Sequence, residues 1–194
     1  MKKKSMTVRT LWVAGFATAL LSSFGCGGGS DNGGGGPILP ALVCSEGGAA
    51  AANTVAMSCG GLINATTERV DVVILGPASG TTTLRGLNFD VTYDPLKLEF
   101  VPAANPASPL FPNALILVAL ANGQQGRLVA AIQQPGDLPD VTVATGEHLV
   151  ISLSFRRVAA ATFDPTPLTF ERAQATTAST TITFASALTL EYQQ

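Results

Sequence analysis

From about Val43 to Tyr192 the chain reads as strands with a period-two alternation of apolar and polar side chains, separated by Gly, Pro, Asn and Asp clusters. Arg69 to Leu75 stops at Gly76-Pro77. In Leu84 to Tyr93, the residues Leu87, Phe89, Val91 and Tyr93 alternate with Asn88, Asp90 and Thr92, which predicts a strand with one face in a core and the other in water. His148 to Arg156 reads the same way, with Leu149, Ile151, Leu153 and Phe155 on one face and Val150, Ser152 and Ser154 on the other. Leu98 and Phe100 begin a short strand that runs into Pro102, Pro106, Pro109 and Pro112, a surface loop. Strands resume near Leu115, and Arg127 to Gln133 lies between the turn signals Asn122-Gly123 and Pro135-Gly136. Leu168 to Phe170, Thr180 to Phe184 and Ala187 to Tyr192 supply the last strands, and Ala49 to Ala52 is too short for a helix. No helical period is sustained. About nine strands in roughly 150 residues predict an all-β, two-sheet sandwich.

The first 42 residues follow another pattern. Lys2, Lys3, Lys4 and Arg9 precede the apolar run Leu11 to Leu21, and small residues follow up to Cys26, the layout of a secretory signal over residues 1–25. The run is too short to span a bilayer, which takes about 20 apolar residues. Residues 26–42 contain Gly27-Gly-Gly-Ser-Asp-Asn-Gly-Gly-Gly-Gly36, with little to bury and much backbone entropy to lose, and are expected to form a disordered tether. The globular domain is expected over residues 43–194.

Charge sharpens this division. The net charge is −2, but four of the 11 basic residues lie in the first ten positions, so residues 26 onward hold 7 basic against 13 acidic side chains. An acidic domain carries no electrostatic footprint for nucleic acid. One His and three Cys exclude most multi-ligand metal sites. Setting Cys26 aside leaves Cys44 and Cys59 as an even pair in an exported chain, and a disulfide is expected between them.

Two resemblances add to this reading. Leu21-Ser-Ser-Phe-Gly25-Cys26 resembles a bacterial lipoprotein signal, which implies cleavage before Cys26 and a lipid on that cysteine. With Gly27 rather than Asp next, it implies an outer-membrane or cell-surface location. Gly86-Leu-Asn-Phe-Asp-Val-Thr-Tyr-Asp-Pro-Leu-Lys-Leu-Glu-Phe-Val101 resembles the cohesin domain family, with Phe89, Tyr93, Asp94, Pro95, Leu98 and Phe100 in the family's motif. The resemblance implies a jelly-roll sandwich of nine strands that binds dockerin modules in extracellular polysaccharide-degrading assemblies, with carbohydrate-binding modules among its relatives. Asp94 and Pro95 suit a turn, from which Leu98 and Phe100 return to the core. The implied function is a non-catalytic, lipid-anchored module for a dockerin-like protein partner, with polysaccharide binding or a structural envelope role as alternatives.

Candidate chemistry is sparse. His148 begins a strand without a Gly-x-Ser-x-Gly elbow, and Asp90, Asp94 and Glu99 are the nearest approach to a carboxylate pair, so no enzyme is expected. No cofactor is indicated; Asp137 with Asp140, or Asp71 with Glu68, would be the oxygen ligands of a structural calcium. The only Trp, Trp12, lies in the leader, leaving no evident stacking platform for sugars. Asn64-Ala-Thr66 matches a glycosylation acceptor. The candidate docking surface is one sheet face with small and polar outward residues, such as Asn88, Asp90 and Thr92, or Ser152 and Ser154.

Overall fold

The computed structural model describes residues 41–158, 165–177, 181–185 and 188–192. The signal, Cys26 and most of the expected tether lie outside the described residues, as do Thr180 and Ala187. Twelve strands are present among the described residues: β1 (Leu42–Glu46), β2 (Thr54–Asn64), β3 (Thr67–Leu75), β4 (Thr81–Thr92), β5 (Leu98–Val101), β6 (Leu115–Leu120), β7 (Arg127–Gln133), β8 (Val141–Ala144), β9 (Glu147–Arg157), β10 (Thr166–Thr177), β11 (Thr183–Phe184) and β12 (Leu188–Tyr192). One sheet has the order β1-β12-β10-β4-β7-β6, with β8 pairing the start of β4; the other runs β11-β2-β3-β9-β5. All pairs are antiparallel except β11 with β2.

The excess over nine strands comes from short or irregular segments without clean alternation. β8 has four residues, β11 has two, and β2 carries Gly60-Gly61 and two bulges. β1 begins at Leu42, a residue of the expected tether that is fully buried in the core. β10 extends to Thr177, well beyond Phe170, because a bulge between Glu171 and Gln174, with Arg172 at φ +48°, breaks the period.

Leu87, Phe89 and Val91 of β4 face Val70, Val72, Leu153 and Phe155 of the opposing sheet within one continuous core. One expected face is corrected. β3 pairs Val72 with Ile151 and Val73 with Leu149, a bulge that skips Val150. Val150 is therefore a core residue, and Leu149 lies half-buried outside it.

The turn after β4 hands the chain from one sheet to the other. Asp94 Oδ1 accepts from the Leu96 N–H at 2.9 Å, while its carbonyl accepts from Lys97 and Leu98. Tyr93 stacks edge-on against Phe155 at 5.2 Å, and Phe100 lies 5.8 Å from the same ring. Gln125 bridges the sheets: its Oε1 accepts from the Tyr93 hydroxyl and from the Phe100 N–H.

Cys44 of β1 is joined to Cys59 of β2, a bridge between the two sheets, and Glu46 Oε1 accepts from the Cys59 N–H at 2.7 Å. The chain-entropy model gives a loop of this length about 3 kcal/mol. Reduction, or Cys44→Ser with Cys59→Ser, is expected to lower unfolding free energy by about that amount in urea titrations; an unchanged midpoint would contradict it.

Glu68, in β3, is buried on the core side opposite Phe155. Burial pushes its carboxyl above the ordinary carboxylate range, against the opposing pull of a Gly61 backbone hydrogen bond and the Arg69 charge. The folded state thus holds this proton to higher pH than the unfolded chain, and stability falls as pH rises through that window. Glu68→Gln is expected to raise the thermal midpoint at neutral pH, and the gain should vanish below the ordinary carboxylate range. An equal effect at both pH values would contradict this.

Candidate functional site

The outward side of β6, β7, β4 and β10 is set by pairing. Ala119, Val129, Asp90 and Glu171 form one row across the four strands, and Leu117, Ala131, Asn88 and Gln174 form the next. Leu115, Gln133, Gly86 and Thr176 follow, while Arg127, Thr92 and Thr169 close the other end.

β6 gives this face its character. Its sequence, Leu-Ile-Leu-Val-Ala-Leu, is wholly apolar, yet none of the six residues is fully buried. Leu115 is 70% exposed and Leu117 is 57% exposed. An apolar edge strand exposes both side chains and unpaired backbone, an arrangement natural proteins cover or use. Half-buried Val129 and Ala131 extend the apolar strip onto β7. Beside β6 a cleft of about 160 Å³ opens between the sheets, lined by residues including Phe100, Pro106, Ile116, Val118, Ile151 and Leu153.

Polar groups bound the strip. Asp90 is nearly buried, and its Oδ2 accepts from Arg127 Nε at 2.9 Å and from the Arg127 Nη2. Thr92 and Thr169 share a hydroxyl hydrogen bond at 2.6 Å. Gln133 lies across β4 at Gly86, where a Cβ would come within 2.5 Å of the Gln133 Oε1. Arg85 pins the adjoining loop, donating to Asp140 and to the carbonyls of Pro135 and Leu138. An aliphatic edge flanked on its inner side by fixed polar groups combines the apolar and polar parts of a protein-binding surface.

The two sets of candidate docking positions lie on different sheets. Asn88, Asp90 and Thr92 belong to this face. Ser152 lies on the other sheet, where its hydroxyl donates to Asp71 at 2.5 Å beside the Arg69–Asp71 ion pair, and Ser154 lies further along β9. Leu115 and Leu117 were not legible as site residues, because a wholly apolar run reads as a buried strand.

The carboxylates are dispersed. Asp90 pairs with Arg127 on one sheet and Glu99 with Arg156 on the other, while Asp94 holds its turn. His148 Nε2 donates to the Ala144 carbonyl at 3.1 Å. Asp140 is engaged by Arg85 and Asp71 by Arg69, and no group of three or more metal-ligating side chains lies together among the described residues.

No family model and no curated protein matches the sequence. Solved structures match the fold. The sixth cohesin of scaffoldin B from Acetivibrio cellulolyticus, solved in complex with a mutant dockerin, gives a TM-score of 0.51 at 14% identity, over 69% of this chain and 95% of that one. A type II cohesin domain from the cellulosome of Acetivibrio cellulolyticus gives 0.50 at 11% identity, over 70% and 93%. The described domain has the cohesin fold.

Leu115→Ser with Leu117→Ser should leave unfolding free energy within about 0.5 kcal/mol of the parent in urea, since neither side chain supports the core. A loss of about 2 kcal/mol or more would make them structural.

Proposed function

We propose that this chain is an exported, non-catalytic binding module, lipidated at Cys26, which engages a dockerin-like protein partner through the outer face of β6, β7, β4 and β10. The observation that carries the docking surface is the aliphatic strip of exposed Leu115 and Leu117 and half-buried Val129 and Ala131, with polar groups along its inner side. A four-stranded face of this composition suits another folded protein. Polysaccharides are commonly gripped by stacked aromatic rings, whereas Phe89, Tyr93, Phe100, Phe111 and Phe155 are all buried.

The choice of partner class rests on the cohesin fold and on the mutant dockerin in the scaffoldin B complex. Export is supported by the leader and by a disulfide of the kind that persists outside the cytosol. No helix among the described residues is long and apolar enough to cross a membrane, and the lipid at Cys26 supplies the attachment. A link to polysaccharide degradation would come through the partner.

Calorimetric titration of the purified protein with a panel of dockerin modules is expected to yield a binder. Leu117→Asp should weaken that binder by about 2 kcal/mol, roughly 30-fold, as for a residue that anchors an interface. Absence of binding across the panel, or full binding by Leu117→Asp, would count against this surface. Cys26→Ala should move the protein from the membrane to the soluble fraction; continued membrane association would rule out the lipid.

A further inference from the structure

Five large aliphatic side chains are exposed among the described residues: Leu115 and Leu117 on the sheet face, and Leu62, Ile63 and Leu96 elsewhere. The second group gathers at one end of the sandwich. β2 finishes at Asn64, opposite Thr67 at the start of β3; Thr67 lies opposite Arg156 near the end of β9, and Arg157 opposite Leu98. The β2–β3 hairpin tip and the Asp94–Lys97 turn are therefore neighbours at one end. Pairing fixes the chain's entry there too. β4 reaches this end at Thr92, where β10 starts its pairing at Thr169; β12 runs back toward the same end to Tyr192, whose partner is Leu42.

The apolar tips are held outward. Register shifts on either side of Leu62, with Gly61 at φ +93°, leave both Leu62 (52%) and Ile63 (57%) in solvent. Asn64 Oδ1 accepts from the N–H and the hydroxyl of Thr66, fixing the hairpin. Asp94 fixes the second turn, on which Leu96 is 78% exposed.

We infer that this end of the domain, through Leu62, Ile63 and Leu96, rests in the headgroup region of the lipid bilayer to which the chain is attached. The inference rests on lipidation at Cys26. Only 14 residues, 27–40, separate Cys26 from the described domain in the sequence, and Leu42 enters the domain at the end that carries these tips. The attachment holds them at high effective concentration over the bilayer, so shallow insertion of three aliphatic side chains suffices to orient the domain. The sheet face bearing Leu115 and Leu117 then stands upright, clear of the lipid and open to a partner.

The mature chain has no Trp once Trp12 leaves with the leader, so single tryptophans report on their own positions. Leu62→Trp, Leu96→Trp and Leu117→Trp would be made in the full-length lipoprotein and reconstituted into phosphatidylethanolamine–phosphatidylglycerol vesicles, with and without brominated lipid. Leu62→Trp and Leu96→Trp should shift to shorter wavelength on reconstitution and lose intensity with brominated lipid, while Leu117→Trp should do neither. If the protein sediments with vesicles through Cys26 but both tip tryptophans emit as in water, the inference falls and the lipid attachment stands. Equal quenching at Leu117→Trp would mean a side-on domain and overturn it. A shift that needs added protein rather than vesicles would assign the tips to a protein ligand. Failure to sediment at all would remove the lipid reading and this inference with it.

Discussion

The pleat of β4 is the constraint on which the rest depends. Leu87, Phe89 and Val91 point into the core, so Asn88, Asp90 and Thr92 must point out, and a register slip of one residue would exchange the two sets. β4 pairs with β10, β7 and β8, so its alternation fixes the faces of the strands around it. The outer face is the reverse side of the core: Val129 and Ala131 face outward, half-buried, because Leu128, Ala130 and Ile132 are buried.

A second constraint joins the two sheets. Asp94-Pro95 turns the chain from β4 toward β5, and Tyr93 and Phe100, on either side of the turn, close on Phe155. Gln125 ties the same corner through hydrogen bonds to Tyr93 and Phe100. At the opposite edge of the first sheet, the Cys44–Cys59 bridge fastens β1 to β2. The sandwich is thus held across its core by aromatic packing near one edge and by a covalent link near the other.

Most of the architecture was legible where a strand is regular and half-buried. β4 carries clean alternation over residues 87–92, and the Asp94-Pro95 turn is written in residue types that make it. Legibility failed where geometry departs from a simple pleat. The bulge at Leu149–Val150 reverses which residue faces the core, and the bulge at Arg172 hides the second half of β10. β6 misleads in another way: six apolar residues suggest a buried strand, and only the sheet order shows it to be an edge. The bridging role of Gln125 depends on tertiary proximity that no local pattern records. The polar positions of the site read more easily than its apolar edge, since Asn88 and Asp90 stand out in an alternating strand and Leu117 does not stand out in an apolar run.

Hydrogen exchange of the protein alone and with a bound dockerin reads each strand separately and so tests whether the proposed partner sits on the outer face of β6, β7, β4 and β10. Protection confined to residues 86–92, 115–120, 127–133 and 169–176 is the predicted result. Protection concentrated instead on β2, β3 and β9, with these four strands unchanged, would contradict it.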